Sequence, residues 1–475
     1  MEKEEEEAAA AGPARNVQES HGTAWKRTRS GDCDVSAGDL ISHLADALLG
    51  TIISLLPTKD GGRTQILSRR WRHLWCYAPL NLEVLAFLPI LVFDRYAVPT
   101  SAVSKIISQH PGPARRFFFP SIRVGNVYAE VESWFDSPAL ANLQELDIGY
   151  EYLSARNSKA KCRLPQSAFG SASTLLVAKI RNCGFSDAVP LSCFNFPLLK
   201  ELSLHYVSFS GDAFHSLLSG CHALESLCML QVHATAGCLR VCSPTLRSIG
   251  FRDNSGEKTE LVLEDAPRLE RLLLPYCHRN DCVIIRVIRA PKLEILGPFS
   301  ADYCKFQILQ GMSLVSSANS IHTVKVLALT CSALQLDAVL GVLRWFPCLE
   351  KLYVSFHEYY QTHKKFEPQG DPLYPIECLQ THLKKVMLTL YMSYEKQVHL
   401  ARFFVLNAKV LNKIEFLVWN DYNDEMVAHQ HSLLQVENRA SRDAQFEFRN
   451  SLFFIDKHVE DHIHDLSVAD PFRQP

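Results

Sequence analysis

A run of about twenty consecutive apolar residues, the length a membrane-crossing helix needs, occurs nowhere in this 475-residue chain. The longest greasy stretch, VLAFLPILVF from Val84 to Phe93, is far shorter and Pro89 interrupts it, so no membrane partner is expected. A basic surplus is missing too. Lys and Arg number 49 against 51 Asp and Glu, a formal net charge of −2, and nucleic-acid binders usually carry the opposite balance. The spacings GxxxxGK[ST], HExxH, GxSxG and GxGxxG are all absent, which removes the phosphate cradle, the zinc-protease helix, the hydrolase elbow and the dinucleotide fingerprint. The expectation is a non-catalytic chain without a cofactor.

The 15 cysteines form no even, tightly spaced framework, and the opening MEKEEEEAAAAGP is acidic with no apolar core of the kind an export leader carries. They read as small buried hydrophobes in a reducing compartment, the nucleus and/or the cytoplasm. Cys277-His278 with Cys282, and Cys238 with Cys242, have C-x4-C and C-x3-C spacing without a second motif, so no metal site is expected. His458, His462 and His464 sit in a charged tail and would bind metal only adventitiously.

Residues 1–36 are low complexity: a Glu run, an Ala run, then polar residues around WKRTRS. Such a segment buries too little apolar surface to offset its ordering entropy, so a disordered tail is expected. Order is predicted from about residue 37. LADALLGTIISLLP places Leu48, Leu49, Ile52, Ile53, Leu55 and Leu56 at helical spacing before Pro57. Thr58 would cap a second short helix and Ser68 a third, in which Trp71 and Trp75 are four apart and share a face. A unit of this size, residues 37–80, carries more apolar face than it can bury alone, which calls for an external partner.

From about residue 136 the rhythm changes. Leu-x-x-Leu-x-Leu, with conservative swaps, starts at Leu143, Leu175, Leu199, Leu224, Leu246, Leu269, Leu293, Val324, Leu349, Leu383 and Leu411, in steps of 22 to 34 residues. Leucine-rich repeats run ~20–29 residues, so the longer steps imply insertions. No single repeat can bury its apolar edge, and stacking neighbours creates the core. Prolines stand two residues before five of these starts, at Pro197, Pro244, Pro267, Pro291 and Pro347, where a missing N–H is tolerated at a strand entry. The fold class is therefore α/β, with eleven parallel strands spanning roughly 50 Å at ~4.8 Å each. The outward positions between the repeat leucines are the candidate substrate-binding set: Glu145, Asp147, Glu201, Ser203, His205, Arg271, Lys351 and Tyr353, with Ser355 beside them. Their mixed charges name no substrate charge class.

Three stretches resemble the plant F-box proteins that carry leucine-rich repeats and a C-terminal FBD region. DLISHLADALLGTIISLLPTKDGGRTQILSRRWRHLW (Asp39 to Trp75) is similar to an F-box. FPLLKELSL, APRLERLLL, APKLEIL and FPCLEKLYV are similar to that family's repeats. CLQTHLKKVMLTLYMSYEKQVHLARFFVLNAKVLNKIEF (Cys378 to Phe416), with RASRDAQFEF (Arg439 to Phe448), resembles its FBD region. The resemblance implies an N-terminal three-helix F-box over 37–80, a linker and cap over 81–135 and repeats over 136–357. A loop over 358–375, an FBD region continuing the solenoid over 376–450 and a flexible tail over 451–475 complete it. It further implies a substrate receptor of a cullin-based ubiquitin ligase, docking a Skp-type adaptor and holding an unknown protein substrate. The positions matching the adaptor-binding pattern are Leu44, Leu48, Leu49, Ile52, Leu55, Leu56, Pro57, Leu67, Trp71 and Trp75. The chain departs from the family where Leu44-Ala45-Asp46 replaces Leu-Pro-Asp, and where Gly61-Gly62 replaces an Ala-Val pair. Glycine costs about 0.5–1 kcal/mol inside a helix, so these departures motivate an alternative, a non-ligase scaffold with a degenerate F-box.

Overall fold

The computed structural model describes residues 40–83, 100–122, 128–150, 164–185, 194–209, 212–235, 237–253, 259–275, 284–300, 305–308, 321–331, 336–356, 375–419, 422–450 and 458–473. The expected tail 1–36, the run Val84–Phe93, Cys277, His278, Cys282 and residues 358–374 of the expected loop lie outside them. The chain divides into two units, Met1–Ala45 and Asp46–Pro475. In the first, the described residues form a 3₁₀ turn, Leu40–His43, closed by Leu44 N donating to Ile41 O at 3.1 Å.

The second unit opens with three short helices: α1 (Asp46–Leu55), α2 (Thr58–Arg63) and α3 (Arg69–Tyr77). Leu49 and Ile53, four apart on α1, are fully buried, as is most of Trp71 on α3. Ser68 caps α3 as expected, its hydroxyl accepting from Trp71 N. Thr58 does not cap α2. Pro57 occupies that position, its fixed φ already suited to entering a helix, and the Thr58 hydroxyl donates instead to Asn81 O.

Among the described residues, fourteen parallel strands then form one sheet whose spatial order follows the chain. They are β1 (Leu80–Glu83), β2 (Ala114–Ile122), β3 (Glu145–Tyr150), β4 (Val177–Arg181), β5 (Glu201–His205), β6 (Ser226–Leu230) and β7 (Ser248–Arg252). The rest are β8 (Arg271–Leu273), β9 (Ile295–Ser300), β10 (Val326–Cys331), β11 (Lys351–Phe356), β12 (Lys385–Tyr391), β13 (Lys413–Val418) and β14 (Gln445–Asn450). The eleven repeats read from leucine spacing are β3 to β13. Two further strands precede them and one, β14, follows within the stretch 376–450 expected to be an FBD region.

Register explains the spacing. Leu202, Leu227, Ile249, Leu272, Leu296, Leu327, Leu352, Val386 and Ile414 are successive partners across nine neighbouring strands, so equivalent repeat positions stack into one ladder. All are 1% exposed or less, and each such side chain contributes roughly 1.5–3 kcal/mol of burial. The prolines act one step earlier than a strand entry. Leu199, Leu269, Leu293 and Leu349 each donate N–H to the carbonyl three residues back, Phe196, Ala266, Ala290 and Phe346. Pro197, Pro267, Pro291 and Pro347 are thus the second residue of a β-turn, where their fixed φ is favoured. On the far side of the core, short helices such as Ala213–Ser219, Leu336–Leu343, Glu395–Asn407 and Asp424–Leu434 alternate with smaller parallel sheets of four and three strands.

The flexible tail expected from residue 451 does not describe residues 458–473. Val459, Ile463 and Phe472 there are fully buried. Together with Cys228, Leu230, Leu273, Tyr353 and Met387 they form a second hydrophobic cluster on the outward face of the sheet. These three anchors are spaced too irregularly among charged residues to give a period, which is why composition suggested fraying.

Candidate interaction surfaces

On α1, Leu48, Ile52 and Leu55 fall at i, i+4 and i+7 and share one face, opposite the buried Leu49 and Ile53. That face is open: Leu48 is 55% and Leu55 62% exposed. Leu67 at 66% and Ile66 at 85% continue the pattern in the turn before α3. Of the other positions that match the adaptor pattern, Pro57 is exposed, Leu44 and Leu56 are half-buried, and Leu49 and Trp71 pack inward.

Trp75 covers α2. A Cβ at Gly61 would lie 2.5 Å from Trp75 Cζ3, whereas one at Gly62 would lie 3.7 Å from Cζ2. Gly61 therefore creates the seat for the indole, and the expected glycine cost is only half the account at that position. The ring meets His110 edge-on at 5.2 Å between centroids, and His110 Nε2 lies 2.9 Å from Trp75 O. Asn81, buried on β1, donates its amide to Ser54 O at 2.7 Å and Leu56 O at 3.0 Å. The helices are thus bonded to the first strand of the sheet.

The outward sheet positions divide into two groups. Toward the N-terminal strands they pair with one another. Glu145 accepts from Arg116 at 3.2 Å, and Asp147 is bonded by Arg181. Burial raises the Asp147 carboxyl above the usual carboxylate range against the pull of Arg181, and it raises that of Glu201 likewise. His205 is pushed down to about 3, by burial first and then by Arg181 and Arg252, so it is neutral at pH 7. Its Nε2 stands 3.8 Å from Cys228 Sγ.

The second group is occupied by residues 458–473. Ser203 Oγ lies 2.8 Å from His464 Nε2 and Ser226 Oγ 2.7 Å from its Nδ1. Arg271 donates to the carbonyls of Asp465 at 3.0 Å and Val468 at 3.1 Å. Lys351 Nζ and Tyr353 OH both donate to Asp470 Oδ2 at 2.8 Å, and burial with the Asp470 charge pushes the Tyr353 hydroxyl up. Four of the eight candidate substrate positions therefore hold this segment. The signal that could have revealed it is faint: Ile463 and Phe472 stand among charges they have no reason to share unless something covers them.

Between the segment and β12 to β14 lies a cavity of about 600 Å³, lined in part by Lys385, Lys413, Arg449 and Glu415. Three of its cations are compensated: Lys385 and Lys413 hold Glu415 at 2.6 and 2.7 Å, and Arg449 pairs with Glu447. Burial would raise the Glu415 carboxyl, but the two lysines hold it below its ordinary value. No cluster of three metal-ligating groups occurs among the described residues, and none of their helices is long and apolar enough to cross a membrane.

A parallel leucine-rich solenoid, led by three short helices that bare an apolar stripe, defines the structural class. The comparisons with known proteins narrow it. Residues 131–354 match the repeats described as "FBD-associated F-box protein At5g56370, LRR repeats", and residues 371–416 match FBD. The chain is 26% identical over 399 residues to the "Probable FBD-associated F-box protein At1g32375" of Arabidopsis thaliana, covering 79% of this chain and 92% of that protein. It is 33% identical over 257 residues to the "FBD-associated F-box protein At5g56370" of the same plant, covering 52% and 56%. These matches support a likeness to the plant F-box, leucine-rich-repeat and FBD proteins over the repeats and the FBD region.

Proposed function

We propose that this chain is the substrate-recognition subunit of a cullin-based ubiquitin ligase in the nucleus and/or cytoplasm. Its helical head docks a Skp-type adaptor, and its sheet binds a protein substrate. The observation that carries the reading is the exposed stripe Leu48, Ile52, Leu55 and Leu67 beside the buried Leu49, Ile53 and Trp71. An interface of standard size, roughly 1,600 Å² in total, would cover that stripe. The chain contributes no chemistry: it raises the effective concentration of substrate beside the ubiquitin carrier, making transfer intramolecular.

The test is capture of a purified Skp-type adaptor by the full chain, wild type against Leu48→Asp/Leu55→Asp. Losing two leucines that the adaptor would bury, at roughly 1.5–3 kcal/mol each, predicts about a hundred-fold weaker capture in the double variant. Failure of the wild-type chain to capture adaptor would leave the scaffold alternative, which the Ala45 and Gly61-Gly62 departures motivate. The indole seated over Gly61 favours an intact head over a degenerate one.

A further inference from the structure

The segment 458–473 lies on the sheet in the manner of a ligand. Its contacts with the strands run through side chains. Arg271 reads two of its carbonyls, Ser203 and Ser226 hold the His464 ring, and Lys351 with Tyr353 binds the Asp470 carboxylate. Phe472 is fully buried with its ring 5.8 Å from that of Tyr353. Ile463 fills a hole made for it, since a Cβ on Gly250 would stand 2.2 Å from Ile463 Cδ1. Its apolar anchors belong to a cluster separate from the continuous core behind the sheet, so the stacked repeats are complete without it.

From this we infer that the outward face of the sheet between β5 and β11 is a peptide-binding site, occupied in the resting chain by its own C-terminal segment. The partner it fits is a protein presenting an extended segment with a carboxylate two residues ahead of an aromatic ring, as Asp470 precedes Phe472. The chemistry is specific. A carboxylate there meets an ammonium and a phenol together, a charge-assisted pairing stronger than neutral hydrogen bonds, and the ring enters an apolar socket. A tethered occupant sits at an effective concentration on the order of millimolar, so a substrate must bind well below that to displace it. This inference rests on the substrate-receptor reading for the partner's identity, but not for the site itself.

The test uses the full chain and a fluorescent peptide of residues 458–473. Wild type should bind the peptide poorly, because its own segment competes. The variant Ile463→Asp/Phe472→Ala, altered only in the segment, should bind it at least ten-fold more tightly. Adding Lys351→Ala/Tyr353→Phe should remove that gain, as should a peptide carrying Asp470→Asn and Phe472→Ala. A segment variant that keeps its circular dichroism and binds no peptide refutes the inference. One that unfolds also refutes it, because the segment is then part of the core. Adaptor capture by the same proteins separates the two readings: capture without peptide binding sinks this inference alone, and peptide binding without capture sinks the ligase reading alone.

Discussion

The contrast between Gly61 and Gly62 gives the sharpest check on how the head is built. By helix propensity alone, Gly→Ala at either position should stabilise α2 by about 0.5–1 kcal/mol. At Gly62 nothing opposes that gain, because the added methyl would meet Trp75 Cζ2 at 3.7 Å, an ordinary contact. At Gly61 it would sit 2.5 Å from Cζ3, and the indole also packs edge-on against His110. Overpacking of this kind costs typically 1–3 kcal/mol. The two alanine variants should therefore separate by about 2 kcal/mol, Gly62→Ala more stable than wild type and Gly61→Ala less. A chain of many repeats does not melt in one transition, so the readout is local: hydrogen exchange of amides in residues 58–78. Those amides should exchange up to several-fold more slowly in Gly62→Ala and several-fold faster in Gly61→Ala, at ~1.4 kcal/mol per factor of ten. Equal protection in the two variants would mean that the indole has room the geometry denies it.

Two other outcomes follow from single groups. Asn81→Ala strands the carbonyls of Ser54 and Leu56 that its buried amide now satisfies. It should cost about 2–3 kcal/mol, read as protease cleavage near Pro57 at a concentration that leaves wild type intact; unchanged resistance would show that the amide is not what holds the head. The His464 ring, held between two serines, is pushed down to about 4 by burial and then by Lys179 and Arg271. Its ordinary value near 6.5 returns on release, so the seated segment binds fewer protons between about pH 4 and 6.5 and acid weakens seating. Glu460, raised by burial against Arg252, works in the opposite direction. Peptide affinity for the segment variant should therefore fall between a few-fold and about twenty-fold from pH 7 to 5, and a His464→Gln peptide should lose that response.

Most of the solenoid was legible because one physical requirement writes it. Each repeat must present a leucine at the same register position as its neighbours, so the ladder from Leu202 to Ile414 is visible as spacing before any coordinate is known. The prolines were legible as boundary markers, though their place in β-turns needed the carbonyls of residues such as Phe196 and Ala266. What stayed hidden depends on contact rather than period. Strands β1, β2 and β14 lack the Leu-x-x-Leu signature and take their place by pairing with strands that have it. Gly61 read as a defect until the partner that needs its missing side chain came into view. The segment 458–473 read as a solvated tail because its three anchors are spaced by the shape of the sheet, not by any helix or strand of its own.

The junction between head and sheet bears on recruitment. If the head swung freely, an adaptor bound at Leu48 and Leu55 would hold the sheet at no fixed distance, and effective concentration would depend on the reach of a linker. Here the end of α1 and the turn after it are bonded through Asn81 to β1, the Thr58 hydroxyl reaches the same residue, and β1 is paired to β2 from Leu80 onward. Because β1 is the first rung of the fourteen-strand ladder, the exposed stripe and the outward face of the sheet share one frame. A bound partner would be held at a set place relative to the adaptor, and the cost of immobilising a flexible tether is already met in the fold. On the proposed reading, recognition would then be limited by what displaces the segment from the sheet, not by how the two ends find one another.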